Sequence, residues 1–376
     1  MQKQIFKILF LLTIFFVVPN FVLAAPSVNA IAETLTHGNV LTVGGSDFGS
    51  KINIATPLVW DDFNVGNDGD LLSVHGWNVG TDNILSERPQ LSSNKLRHVN
   101  TNNVAKFYFT RNPSYYAEDV AWRDELPVVG KKRYVDYWMW YEMPIQPMGQ
   151  EAHQLKLVRM QSGPGESTDN VNFPTINTYA WRYNGGVREL YFPIYSNLTD
   201  SESIYTTPFL DGSWVHVKMW IDVGTENNND GILKVWSNGS VLFDRADIKH
   251  IATGYGLKNW YDNFQIGKYL GNTPTQDVET TIYFSDVYYD TSWARVEIGD
   301  NQIYNNCSHT EIQIPSSWSD NAIDIRINAG SFATNANAYL FVIDADGNAS
   351  AGQLITIDGA TSDATPPSAP TGLGVN

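Results

Sequence analysis

Apolar and polar positions alternate with a period of two along most of this chain. The clearest run is WVHVKMWIDV, Trp214 to Val223. Val215, Val217, Met219, Ile221 and Val223 take one face, and Trp214, His216, Lys218, Trp220 and Asp222 take the other. YVDYWMWY (Tyr134 to Tyr141) reads as a strand with aromatics on both faces, and HQLKLVRM (His153 to Met160) alternates too. TYAWRYNGGVRELYF carries Asn184-Gly185-Gly186 between two strand runs and reads as a hairpin. DGILKVWSNGSVLFDR does the same around Asn238-Gly239, a pair suited to the positive φ angles of a type I′ turn. NFQIGKYLG and TTIYFSDVYYD add further strands, and no long amphipathic helix or tandem repeat interrupts them. The pattern predicts an all-β fold in which Trp60 to Asp290 form one large antiparallel two-sheet jelly-roll sandwich.

The flanks differ from this block. Residues 1–24 carry Lys3 and Lys7, an apolar run and the small-residue end Val22-Leu23-Ala24, the pattern of a secretory signal peptide. No later segment is apolar enough for a membrane-spanning helix, so no membrane insertion is expected once the leader is cleaved. The stretch DATPPSAPTGLGVN, within residues 361–376, reads as a Pro-rich linker, and its PPSAPTGLGV resembles the opening of a fibronectin type III domain.

Loss of the leader removes two lysines and leaves 22 basic against 40 acidic residues, a net charge of −18. Such a chain is a poor partner for nucleic acid. Cys307 is the single cysteine, so no internal disulfide can form, which suits a secreted or cell-surface protein of bacterial type. The 12 Trp and 19 Tyr are many for one chain, and such rings suit both sheet surfaces and stacking on sugars. Seven His are scattered without zinc spacing, and no cofactor is required by any motif.

Two resemblances add to this reading. HGNVLTVGGSDFG, with Gly44, Gly45 and Gly49, resembles the start of an IPT/TIG domain, an immunoglobulin-like sandwich. Its later strands resemble ARVEIGDNQIYNNCSHTEIQIPSSW and AYLFVIDADGNASAGQLITI, far downstream. This implies a smaller discontinuous immunoglobulin-like (TIG) domain, 25–56 plus 295–360, with the jelly roll at 57–294 inserted in it. RYVDYWMWYEM, HQLKL, WRYNGG, DGSWVHVKMWIDVGT, NDGILKVWSNGSVLFDR, FQIGKYLG and YFSDVYYDTSWARVEIGD, in that order, resemble the concanavalin A-like lectin/glucanase superfamily in its polysaccharide-lyase-like branch. The fold that this implies hosts lectins, binding modules, hydrolases and lyases, so function has to be argued from the site.

Three functions stay open on the sequence. The first is non-catalytic polysaccharide binding outside the cell or at its surface. Trp220 with His216 and Lys218 would form the ligand platform, and Trp181, Arg182 and Tyr269 are further ligand candidates. The second is a polysaccharide lyase acting by β-elimination on a uronic-acid glycan. The resemblance implies Lys156 as a catalytic lysine and Tyr191 as a catalytic tyrosine. It has Thr178 or a neighbour where an arginine is expected, Arg182 in the hairpin beyond, and Pro193 in place of a second aromatic. The third is a structural or adhesive surface protein. Glycoside hydrolysis is disfavoured, because Asp124 and Glu125 of WRDELP are adjacent and so fall on opposite faces of a strand. The resemblance also implies a structural Ca2+ near Asp61, Asp62, Asp286 and Asp290, with Asp62 and Asp286 the leading ligands.

Overall fold

The computed structural model describes residues 24–358, apart from 32–33, 52–53, 82–87, 112–116, 143–152, 163–174, 183–187, 196–200, 209–211, 253–260, 268 and 272–277. The leader and the Pro-rich linker lie outside the described residues. Nearly every described element is a β-strand, and the strands form three sheets.

One sheet has the order β1 (Ser27–Val28), β3 (Val40–Ser46), β22 (Ala322–Arg326), β21 (Thr310–Trp318), β20 (Arg295–Gly299), β23 (Asn337–Ile343), β24 (Gln353–Asp358) and β2 (Thr34–Thr36). Its neighbours run antiparallel except β2 and β24, which run parallel. Val43 from β3 and Ile355 from β24 stand far apart in this order, yet they share one hydrophobic cluster with Val296, Ile325 and Leu340. The sheet therefore folds over on itself. β21 joins the two halves, pairing with β20 through Thr310 to Gln313 and with β22 from Ile314 on, where a bulge falls between Pro315 and Ser317. This small unit is built from both ends of the described chain.

The residues between form a two-sheet sandwich. Its back sheet has the order β16 (Ser240–Ile248), β15 (Gly231–Ser237), β14 (Trp214–Asp222), β9 (Lys132–Glu142), β19 (Val278–Asp290), β7 (Val104–Arg111) and β6 (Gln90–Ser92), with β4 (Val59–Asp61) also on β19. Its front sheet has the order β13 (Ser201–Pro208), β12 (Arg188–Tyr195), β11 (Thr175–Arg182), β10 (His153–Gln161), β17 (Asn263–Ile266), β8 (Ala117–Arg123) and β18 (Tyr269–Gly271), with β5 (Asn78–Thr81) on β8. The first and last strands of the sandwich pair with each other, Trp60 opposite Tyr288. Chain entry to the sandwich and exit from it are thus one strand spacing apart.

The core lies where the alternation puts it. Val215, Val217, Met219 and Ile221 of β14 and Val135, Tyr137 and Met139 of β9 meet Val158, Met160, Ile176, Phe192, Phe264 and Ile266 of the front sheet. At the tip of the β15–β16 hairpin, Asn238 and Gly239 have φ of 46° and 76°, the left-handed pair that a two-residue turn needs. Asn238 Oδ1 also accepts the His216 backbone N–H at 2.9 Å, tying the tip to β14.

His250 gives this core a pH dependence. Its Nε2–H donates to the Ile232 carbonyl at 3.1 Å and its Nδ1 accepts from the Tyr261 hydroxyl at 3.2 Å. Burial pushes the imidazole down to about 4, so the folded chain resists a proton that the unfolded chain takes up near its usual value of about 6.5. Below that value the unfolded state binds more protons, and stability falls as the pH drops from about 6.5 through about 4. His250→Gln keeps the donor to Ile232 and should flatten this part of the acid limb. Denaturant midpoints at about pH 7 and pH 5 read it, and an unchanged pH slope in the variant would discount His250.

Candidate functional site

The outward face of the back sheet is occupied by the small unit. Trp138 stacks on His216 with centroids 4.4 Å apart, and His216 Nε2–H donates to Asp136 Oδ1 at 2.7 Å. Lys218 Nζ donates to Glu297 Oε2 at 2.9 Å, Thr310 Oγ1 at 3.0 Å and the Tyr304 hydroxyl at 3.2 Å. Arg295 reaches the other oxygen of Glu297, and donates through Nη2 to Tyr304 at 2.7 Å. Despite its burial Glu297 is held far below the usual carboxylate range by Lys218 and Arg295. Trp220 stacks on Trp293 at 5.0 Å, and Gly347 lies so close that a Cβ there would meet the indole at 2.5 Å. The polar side of WVHVKMWIDV, expected to be a sugar platform, is therefore a contact between units. His216 and Lys218 are buried, and Trp220 is partly buried.

The acidic positions divide in a similar way. Asp286 accepts from Arg97 at 2.8 Å, from Asn328 Nδ2 at 3.0 Å and from Ser285 Oγ at 2.6 Å. Arg97 also forks onto Glu311, with bonds of 2.7 and 3.0 Å. Asp61 accepts from His75, Trp77 and the Phe63 N–H. Asp290 pairs with Lys51 at 2.5 Å. Asp286 and Asp290 thus face protein cations, while Asp61 accepts protein N–H donors. Burial, and then the charges of Asp61 and Asp286, push Asp62 up to about 6. Among the described residues no group of three or more His, Cys, Asp or Glu is placed to hold a metal ion.

The front sheet offers a different surface. Val158, Met160, Phe264 and Ile266 point into the core, so Arg159, Gln161, Asn263 and Gln265 point outward. All four are buried. Lys156, 7% exposed, is in register with Tyr179, which opposes Tyr191, which opposes Tyr205. Tyr269 takes the register position next to Leu270, the partner of Leu155, and so extends the same row on the other side of β10. One cross-strand row therefore holds a lysine position among four tyrosine positions. Trp181 takes the next outward step, opposite Gln154 and Glu189, while Arg182 has the register parity of the core face at the strand end.

Thr178 is 1% exposed and lies on the core parity with Ile176, so an arginine there would be buried in the sandwich. The second outward cation is Arg159, on the same strand as Lys156. Simple alternation hides it, because residues 156 and 159 should take opposite faces. Lys156 and the register position of Tyr191, both expected from the resemblance, fall on one face. His216, Lys218 and Trp220 are not part of it.

What emerges is an all-β protein in which an antiparallel jelly-roll sandwich is carried by a smaller folded-over sheet. No protein-family model matches the chain, and no curated protein matches it. Solved structures do. An endo-β-1,4-glucuronan lyase from the fungus Trichoderma reesei is 15% identical with a TM-score of 0.43, over 61% of this chain and 95% of that one. The alginate lyase Aly36B, as a mutant in complex with an alginate trisaccharide, is 16% identical with a TM-score of 0.46, over 63% and 98%. The cellulose induced protein Cip1 is 12% identical with a TM-score of 0.37, over 62% and 97%.

Proposed function

We propose that the protein is a secreted polysaccharide lyase whose site is the outward face of the front sheet. The observation that carries this reading is the register row that sets Lys156 beside the positions of Tyr179 and Tyr191, with Arg159 on the same face. Lysine and tyrosine are both competent proton carriers, and β-elimination needs two of them. Lys156 withdraws the C5 proton of a uronate unit. The electron pair forms the C4–C5 double bond as the C4–O bond breaks, and Tyr191 protonates the departing oxygen. The products are a shortened glycan and one with an unsaturated uronate at its new end. No water is consumed, so the carboxylate pair of a hydrolase is not needed.

Binding without cleavage is the second reading, favoured by the aromatic positions Tyr179, Tyr205, Tyr269 and Trp181 on the same face. One experiment separates the two. Full-length protein without its leader is incubated with alginate, glucuronan and heparin, and ultraviolet absorbance of unsaturated product is followed alongside glycan retention. Product formation supports the lyase. Retention with no product supports binding alone, and neither outcome leaves the structural or adhesive role. Export follows from the leader at residues 1–24 and is checked by finding the processed protein outside the cell.

A further inference from the structure

Residues three apart on a regular strand take opposite faces, yet Lys156 and Arg159 share one. The register explains how. Lys156 pairs with Tyr179, and the next pairing is Val158 with Thr178, so Leu157 is an extra residue in β10. Leu157 and Val158 both enter the core cluster, and the strand resumes with Arg159 outward. Bulges of this kind re-aim side chains and are frequent beside active sites. Here the bulge turns one strand into a carrier of two neighbouring cations, about 7 Å apart along the strand.

The surroundings of Arg159 suit a polar ligand. Its register partners are Asn177 on β11 and Gln265 on β17. Arg159 is 1% exposed, and a guanidinium shielded from water holds an anion far more strongly than an exposed one. Gln265 is fully buried and donates to Asn263 Oδ1 at 2.9 Å, while its Oε1 accepts no hydrogen bond among the described residues. A buried acceptor in that state has capacity for one more donor, and a sugar hydroxyl supplies one.

We propose that the Leu157 bulge is a functional device that sets Arg159 beside Lys156 as the carboxylate-binding residue of the site, with Gln265 receiving a hydroxyl of the same sugar. This rests on the lyase reading above for its chemistry. Arg159 forks onto the uronate carboxylate and holds the charge that builds there as the C5 proton leaves. The arrangement needs no arginine on β11, where Thr178 faces the core.

The test compares wild type, Arg159→Gln and Arg159→Lys on a polyuronate and on its methyl ester. Arg159→Gln should lose about 100-fold in kcat/KM on the acid form. Its loss on the ester should be clearly smaller, because the ester lacks the standing carboxylate charge and presents only the charge that builds as the C5 proton leaves. Arg159→Lys should recover part of the loss. Equal losses on acid and ester, or no loss on either, would overturn the proposal. If melting curves show that Arg159→Gln is misfolded, Arg159→Lys carries the comparison, since its loss must also be larger on the acid form than on the ester. If wild type cleaves no polyuronate, the reaction above is wrong. The anion site is then judged by calorimetry with alginate and glucuronan oligosaccharides, and equal binding by wild type and Arg159→Gln sinks it.

Discussion

Lys156→Ala should leave no more than about a thousandth of the wild-type rate of unsaturated-uronate formation, because it removes a proton carrier at the centre of the row. Lys156 lies on the outward face, so the substitution opens no cavity in the sandwich core. The melting temperature should accordingly stay close to that of wild type. Steady-state rates on the best glycan of the panel, with a melting curve for each variant, decide the matter. A variant that keeps a tenth or more of the activity would move the chemistry away from β10. Tyr191→Phe is the companion measurement. If it falls as far as Lys156→Ala and the double variant falls no further, the two act in one step.

The second large effect concerns stability. Glu297→Gln should destabilise the fold by about 3–5 kcal/mol. Glu297 is fully buried and accepts from Lys218, Arg295 and Tyr304, with Tyr134 at 3.1 Å. Neutralising it leaves two buried cations facing each other. That costs more than the pair contributes when intact, because the desolvation of each charge is no longer offset. Chemical denaturation at neutral pH reads the difference. A loss under about 1 kcal/mol would mean that Lys218 and Arg295 find their counter-charge elsewhere. The linkage also has a sign. Glu297 is held below its unfolded pKa, so its contribution is complete above that value and is lost as pH falls toward the folded one.

Much of the fold was legible from the sequence, because a strand that buries one face needs a period of two. Val215 to Val223 mark the core side of β14 without ambiguity, and Asn238-Gly239 mark a turn that almost no other dipeptide makes as well. The opposite side of β14 was not legible. A tryptophan flanked by histidine and lysine looks the same whether it awaits a sugar or a neighbouring sheet. What decides is the set of partners, and these sit 79 positions away at Glu297 and 80 away at Asp136. No local pattern carries that information. Arg159 was hidden for a different reason. A single extra residue shifts the parity of everything after it, and its one mark in HQLKLVRM is the apolar pair Leu157-Val158. Lys156 and Tyr191 were named from the resemblance and not from alternation, and the register puts both positions on one face.

The parallel pairing of β2 with β24 has a mechanical consequence. Thr34 opposes Thr356 and Thr36 opposes Asp358, so the second strand of the described chain lies beside its last one. A pull applied at Thr34 and at Asp358 draws the strands lengthwise past one another. Their hydrogen bonds are stressed together in shear instead of opening one at a time. Tension passes across the small sheet, while the sandwich hangs from it through two neighbouring strands, β4 and β19. Tethered in a flow or stretched between two anchors, the protein would take the strain in its carrier and leave the register of Lys156, Arg159 and the tyrosine row undisturbed.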